Sequence, residues 1–143
     1  MHPIFRVLRN AATTAHAALY RATGGRVGGS MIGLGVLLLT TTGSKSGQPR
    51  TTPLGFLRDG ETYVLVASNG GAAQHPAWYV NLRHQPRARI QLRDQTIEVT
   101  AETATGERRA ALWTKVVADA PGYQVYARRT AREIPLVVLT PVA

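Results

Sequence analysis

The sequence contains no cysteine, and this absence excludes several kinds of protein. A disulfide scaffold, a cysteine-ligated zinc site, an iron–sulfur cluster and a thiol nucleophile all need a thiol. A chain of 143 residues has little need of a cross-link, because a domain of this size buries roughly 68–70% of the surface that its unfolded chain exposes. We therefore expect one domain with an ordinary apolar core.

Long hydrophobic runs are missing as well. The longest apolar stretch covers residues 31–39 and contains two glycines, whereas a helix needs about 20 apolar residues to cross a bilayer. Near the N-terminus, Arg6 and Arg9 interrupt the apolar segment that a signal peptide would require. We expect a cytoplasmic protein that does not span the membrane.

Acidic residues are scarce. Seventeen Lys and Arg against eight Asp and Glu give a formal net charge of +9, and the first carboxylate in the chain is Asp59. Such an uneven distribution predicts an anionic partner, which could be nucleic acid, an acidic membrane surface or a small ligand that carries phosphate or carboxylate groups. Composition by itself does not choose among these three.

The N-terminal part of the chain has a helical pattern. Apolar residues recur every three or four positions over residues 3–21, which predicts an amphipathic helix that ends before a pair of glycines. We assign residues 1–29 to this helix and its glycine-rich connection, and residues 30–143 to the main domain.

The main domain has the pattern of a small β-protein. Six runs rich in apolar and β-branched residues predict strands, at residues 36–42, 50–57, 62–68, 87–93, 96–103 and 134–141. Helical patterns at residues 76–84 and 106–118 interrupt the strands, and a short aromatic segment covers residues 123–129. The predicted fold class is α+β, with a six-stranded, mainly antiparallel sheet that closes into a small barrel with flanking helices.

The loop at residues 40–50 is the first candidate for a binding site. Its sequence is TTTGSKSGQPR, so glycines let the backbone approach a ligand, hydroxyls can meet phosphate oxygens, and Lys45 and Arg50 add positive charge. It lacks the spacing and the following helix of a Walker A loop. We interpret it as an anion-binding loop; the alternative is a polar hairpin tip whose charges are solvated.

Residues 68–82 are the second candidate, a glycine-rich turn that leads into a short helix. Asn69, Trp78 and Asn81 could contact a flat heterocycle through hydrogen bonds and stacking. The alternative is that Trp78 and Leu82, four positions apart, form the core face of the helix.

The sequence contains no recognisable motif for a catalytic nucleophile or a metal site. The chain has no HExxH sequence, and Ser30 does not fit a GxSxG elbow. If the protein is an enzyme, its chemistry should come from an organic cofactor that the protein positions. We expect no bound metal.

Several motifs, in a fixed order, connect the sequence to a known family. They are residues 37–55 (LLLTTTGSKSGQPRTTPLG), 68–71 (SNGG), 75–79 (HPAWY), 121–126 (PGYQVY) and 134–139 (IPLVVL). In these motifs the chain resembles the deazaflavin-dependent nitroreductase family of actinobacteria, which uses coenzyme F420. The resemblance implies a split β-barrel like that of FMN-binding proteins, and an oxidoreductase that transfers hydride from reduced coenzyme F420 to a quinone, a nitroaromatic or another planar, electron-poor acceptor.

The resemblance also implies a cofactor site. The phosphate and acidic tail of coenzyme F420 would be held by Ser44, Lys45, Ser46 and Arg50. The ring would lie against the backbone of Thr51, Thr52, Pro53, Leu54 and Gly55, and against Val66, Ala67, Ser68 and Asn69. The groove would be closed by Ala77, Trp78, Tyr79, Val80 and Asn81.

By the same resemblance, Tyr123 and Tyr126 would face the substrate above the ring, and Ser68 joins them as a catalytic candidate. A hydroxyl in that position can donate a hydrogen bond, and the proton, to the oxygen that becomes negative. The alternative for the two tyrosines is plain packing of a surface segment.

Other interpretations stay open on the sequence alone. The cofactor could be FMN, or the barrel could carry a cofactor or a lipid without turnover. A basic module that binds nucleic acid is less favoured, because the aromatic residues are not interleaved with basic residues on the strands. The wider superfamily of the family that the chain resembles is often dimeric, so the resemblance implies a homodimer as one possible state. The N-terminal helix either packs on the barrel or contacts the inner face of the cell membrane peripherally.

Overall fold

The structure, a computed structural model, describes residues 30–31 and 34–142. The amphipathic helix that the sequence predicts over residues 3–21 lies outside the described residues, as does the rest of the predicted N-terminal unit, residues 1–29.

The described strands form one closed antiparallel sheet. They are β1 (Ser30–Met31), β2 (Leu34–Thr42), β3 (Pro49–Asp59), β4 (Thr62–Val66), β5 (Arg87–Leu92), β6 (Gln95–Thr103) and β7 (Leu136–Pro141). Their order is β1-β2-β3-β4-β7-β6-β5, and a further pairing of β2 with β5 closes the sheet. Because the two-residue β1 adds only a short edge to β2, strands β2 to β7 form the six-stranded barrel that the sequence predicts.

Three helices accompany the strands in the described residues: α1 (Ala77–His84), α2 (Gly106–Asp119) and α3 (Gly122–Arg129). The first two confirm the predicted helices at residues 76–84 and 106–118. The third covers the aromatic segment, whose eight residues are too few for a helical period to stand out. In the part of the chain that is described, no helix is long and apolar enough to cross a membrane.

One core fills the inside of the barrel. Successive residues of a strand point to opposite faces, so Leu37, Leu39 and Leu65 lie inside and are fully buried. Helix α1 adds Trp78 and Leu82 to the same cluster. These two residues therefore form the core face of the helix, as the alternative interpretation has it.

A second core lies outside the barrel, under α2 and α3. Val64 and Val138 point outward from β4 and β7 and meet Leu112, Val116 and Tyr123 of the two helices. Because residues 63–66 of β4 and 136–139 of β7 are buried on both faces, these stretches are continuously apolar rather than alternating.

Candidate functional site

The barrel wall is split between β3 and β4. The ladder between these strands stops at Phe56 and Leu65, and Val66 then pairs with β7 alone. Residues 51–55 of β3 keep β2 on one side and have no strand on the other among the described pairings. We call the space between residues 51–55 and residues 66–69 the split groove.

The residues predicted to bind the ring lie on the two sides of the split groove. On β3, residues 51–55 are all half-buried, as expected of a strand with one open edge. On the other side Ala67 and Ser68 are buried, whereas Asn69 is exposed. The structure thus brings the two segments to one place in the fold, and their contact with a cofactor stays a prediction.

The predicted anion-binding loop is the hairpin between β2 and β3. The amide of Gly43 donates to the carbonyl of Gln48 (2.8 Å), and the amide of Gly47 donates to the carbonyl of Gly43 (2.9 Å). A Cβ atom at Gly43 would lie 2.7 Å from Oγ of Ser46 and 3.2 Å from the carbonyl oxygen of Gln48, so a larger residue there would displace the Ser46 side chain. The loop is therefore closed by its own hydrogen bonds and leads directly into the split groove.

The cations of this loop have no acidic partner. Lys45 and Arg50 are exposed, and Nη2 of Arg50 donates to Oγ of Ser46 (3.3 Å). All eight acidic side chains of the protein lie within the described residues, and none of the ion pairs found there includes Lys45 or Arg50. Two uncompensated positive charges beside hydroxyl and amide groups suit an anionic ligand.

Asn81 ties the loop to α1. Its Nδ2 donates to Oγ1 of Thr41 (3.1 Å), and its Oδ1 accepts the amide proton of Ser44 (3.0 Å). Thr41 and Asn81 are both buried. The side chain predicted to contact the cofactor thus also positions the anion-binding loop, and its contact with a cofactor stays a prediction.

The other residues predicted to close the groove fall into two groups. Trp78 and Tyr79 are buried in the interior core, and the hydroxyl of Tyr79 lies 3.0 Å from Oγ1 of Thr103. Ala77 and Val80 are exposed on the opposite side of α1. Only the second group presents its side chains to solvent.

The two candidate catalytic tyrosines lie on α3. Tyr123 is buried in the outer core, and Tyr126 is half-buried with its ring centroid 5.8 Å away in an edge-to-face arrangement. Burial, and secondarily the neighbouring Tyr126, raises the pKa of Tyr123, so its hydroxyl stays protonated at neutral pH. The packing alternative describes Tyr123 well; a catalytic role for either tyrosine stays a prediction.

Arg132 belongs to none of the motifs in the sequence. Its guanidinium contacts Ala67, Ser68, Ala72 and His75, which flank the turn on one side of the split groove. No local pattern could have identified it, since the partners lie 57–65 residues away in the chain.

A separate cavity of about 240 Å³ lies where β2 meets β5. It is lined by Leu38, Thr40, Arg89, Gln91 and Thr96. It shares no residue with the split groove, and it shares with the anion-binding loop only Thr40, the first residue of that loop. The exposed Arg89 in its lining is already paired with Glu98 (2.9 Å).

Known proteins resemble this chain over most of its length. The model of the F420H2-dependent quinone reductase family matches residues 12–141. An F420H2-dependent quinone reductase of Mycobacterium tuberculosis is 44% identical over 129 residues, which make up 87% of this chain and 87% of that protein.

Solved structures agree with this match. A structure of an F420H2-dependent reductase has a TM-score of 0.67 and 37% identity, and it covers 73% of this chain and 92% of its own. A structure described as a domain-swapped dimer has a TM-score of 0.71 and 32% identity over 96% of this chain and 99% of its own. The heme storage protein HutZ of Vibrio cholerae, 18% identical with a TM-score of 0.53, shares the fold alone. Because the family model spans nearly the whole chain and a full-length relative is so similar in sequence, the chain belongs to the F420H2-dependent quinone reductase family.

Proposed function

We propose that this protein transfers a hydride from reduced coenzyme F420 to a quinone of the menaquinone type, or to another planar, electron-poor acceptor such as a nitroaromatic. One observation supports the proposal above the others. In a chain of this family, the split groove begins beside a loop whose two cations, Lys45 and Arg50, have no carboxylate partner among the described residues.

The residues present fit the coenzyme. It carries a flat deazaflavin ring, a phosphate and an acidic tail. The loop supplies an ammonium, a guanidinium and the hydroxyls of Ser44 and Ser46, a set of groups that binds phosphate and carboxylate oxygens. The open edge of β3 at residues 51–55 supplies an extended backbone against which a ring can lie.

When bound, the reduced coenzyme supplies the hydride, and the quinone becomes a quinol by taking up that hydride and one proton. The chain's own residues hold the anionic tail, orient the ring and keep the acceptor within about 3–3.5 Å of it. Ser68, in the wall of the split groove, and the hydroxyls of Tyr123 and Tyr126 are the proposed donors to the quinone oxygen.

A direct assay tests this function. Purified protein is mixed with reduced coenzyme F420 and a menaquinone analogue, and the absorbance of the oxidised deazaflavin is followed. We expect the absorbance to return only when protein and quinone are both present. Binding of the coenzyme without turnover would instead support a carrier, and a flavin spectrum in the purified protein would support FMN as the cofactor.

We also propose that the protein forms a homodimer and contacts the inner face of the cell membrane through the predicted helix at residues 3–21. The dimer is supported by a similar structure described as a domain-swapped dimer. Sedimentation velocity tests the dimer. Co-sedimentation with liposomes, comparing the full chain with one that starts at Ser30, tests the membrane contact, and equal behaviour of the two chains would refute it.

A further inference from the structure

One side of the split groove is held in place by a side chain that lies outside it. Arg132 belongs to the connection between α3 and β7 and is half-buried. Every hydrogen bond found for its guanidinium among the described residues goes to the segment 67–75. This segment carries the predicted cofactor residues Ala67, Ser68 and Asn69.

The four contacts use all three nitrogens of the guanidinium. Nη2 donates to the carbonyls of Ser68 (2.8 Å) and Ala67 (3.2 Å), and Nε donates to the carbonyl of Ala72 (3.0 Å). Nη1 donates to Nδ1 of His75 (3.2 Å). An arginine has five N–H donors in one rigid plane and no acceptor, so this plane fixes both ends of the turn at residues 69–71 relative to each other.

The segment has other supports, but most of its other hydrogen bonds are local. The amide of Ala67 donates to the carbonyl of Pro135 (3.0 Å), the amide of Gly71 donates to the carbonyl of Ser68 (2.9 Å), and Nδ2 of Asn69 donates to the carbonyl of Gln74 (3.1 Å). Ala67 is also buried in the interior core, and Gly71 lies against α3. Arg132 is the side chain that joins both ends of the turn to the connection before β7.

We propose that Arg132 is a positioning residue, which sets the position of the wall at residues 67–69 across the split groove from β3. This inference rests on the proposed function, because it assumes that the coenzyme ring lies in the groove. The residue acts through the backbone it holds and does not touch the reacting atoms. A lysine cannot replace it, because one ammonium lacks the planar fork that reaches the separated acceptors.

The first test needs no coenzyme. Hydrogen–deuterium exchange of the free protein is compared for the wild type, Arg132→Lys and Arg132→Ala. We expect the amides in residues 67–75 to exchange about tenfold faster in both variants, because the loss of the Arg132 hydrogen bonds lowers the free energy of local opening. Arg128→Ala is the matched control, because Arg128 is an exposed arginine on α3 that forms no hydrogen bond or ion pair with the segment among the described residues.

The second test separates positioning from stability. With the folded fraction checked by circular dichroism, we expect Arg132→Lys to lower kcat about 10- to 100-fold, since a displacement of about 1 Å at the groove is enough for such a loss. The KM for the quinone should change much less. Added methylguanidinium should restore part of the kcat of Arg132→Ala, and Arg128→Ala should behave like the wild type.

The outcomes distinguish the two proposals. If the wild-type protein neither binds nor oxidises the reduced coenzyme, the proposed function fails, and this inference with it. If the wild type turns over and Arg132→Lys keeps kcat and coenzyme affinity within about twofold, the positioning role alone is refuted. If Arg132→Ala does not fold, Arg132→Lys still tests the positioning role, because it keeps the charge and the aliphatic stem.

Discussion

Lys45 and Arg50 are the side chains on which coenzyme affinity should depend most directly. Both are exposed and lack an acidic partner among the described residues, so each is free to pair with phosphate or carboxylate oxygens. A hydrogen bond to a charged group contributes about 1.5–3 kcal/mol, and exposure favours the lower end of that range. We expect Lys45→Ala and Arg50→Ala each to weaken coenzyme binding about tenfold in a fluorescence titration.

Arg128→Ala serves as the control for both substitutions, because it removes one positive charge from an exposed position outside the loop. It should leave the affinity nearly unchanged. Equal losses in all three variants would mean that only the net charge matters, and unchanged affinity in the first two would remove the loop from the binding site.

His75 predicts a pH dependence of stability. Burial, and then the positive charges of Arg132 and Arg83, lowers the pKa of His75 below its usual value of 6.5; the ring of Tyr79 also packs against it. Its Nδ1 accepts a hydrogen bond from Arg132 only when that nitrogen is unprotonated. Because the unfolded chain takes up the proton more readily, this contribution is fully present above pH 6.5 and is lost as the pH falls below it.

The test is the Tm of the wild type and of His75→Asn between pH 5 and pH 8, roughly the range in which histidine titrates. Asparagine keeps an acceptor but does not titrate, so the other histidines cancel in the difference. The Tm of the wild type should fall more steeply on the acid side. Parallel curves would show that the protonation of His75 does not matter for stability.

At the scale of elements, α3 packs against the turn of the groove wall. Gly71 has a φ of +84°, and a Cβ atom there would lie 2.9 Å from Cβ of Arg129 and 3.0 Å from the carbonyl of Tyr126. Gly70 also has a positive φ, +64°, but a Cβ atom there would meet nothing within 4 Å. Substitution of Gly70 therefore tests backbone strain alone, whereas substitution of Gly71 tests backbone strain together with the packing of α3.

We expect Gly70→Ala to lower the free energy of unfolding by about 1–2 kcal/mol, from backbone strain alone. Gly71→Ala should cost about 1–3 kcal/mol more, because the helix must also move away. Urea unfolding of both variants measures the difference. Equal losses would indicate that α3 and the wall adjust freely to each other.

Asn81 connects two other elements, α1 and the anion-binding loop. The helix buries Trp78 and Leu82 in the interior core, and Asn81, on the same buried side, holds Thr41 and Ser44. The hydrophobic packing of α1 thus also fixes where the cations of the loop stand. A substitution in the barrel interior should for this reason also shift the anion-binding loop of the candidate site.

At the scale of the whole molecule, the net charge of +9 would also suit a protein that binds nucleic acid. Binding to duplex DNA loses affinity steeply with salt, by a slope of about 0.9 per phosphate contact on logarithmic axes. The coenzyme should lose less, because the proposed site would hold its ring by uncharged contacts in the split groove. We expect its Kd to change less than that of a DNA duplex between about 50 and 200 mM salt. Tighter binding of the duplex than of the coenzyme at physiological salt would reverse the assignment.

Much of the architecture was predictable because it repeats locally. The alternation along β5 and β6, the apolar and β-branched runs of the other strands and the turn residues between them indicated a six-stranded antiparallel barrel, which the structure confirms. The helix α3 was not predicted, since its eight residues hold a single buried side chain, Tyr123. The predicted helix at residues 3–21 lies outside the described residues, so the structure does not test it.

The candidate site also has features that the sequence predicts and features that it does not. The sequence by itself determined the strands, the excess of positive charge and the cationic loop, because each depends on neighbours in the chain. Only the tertiary structure decided that β3 and β4 part beyond Phe56, that Asn81 holds the anion-binding loop, and that Arg132 holds one side of the split groove. The partners of these two side chains lie 37–65 residues away, and a local pattern carries no information on contacts over such separations.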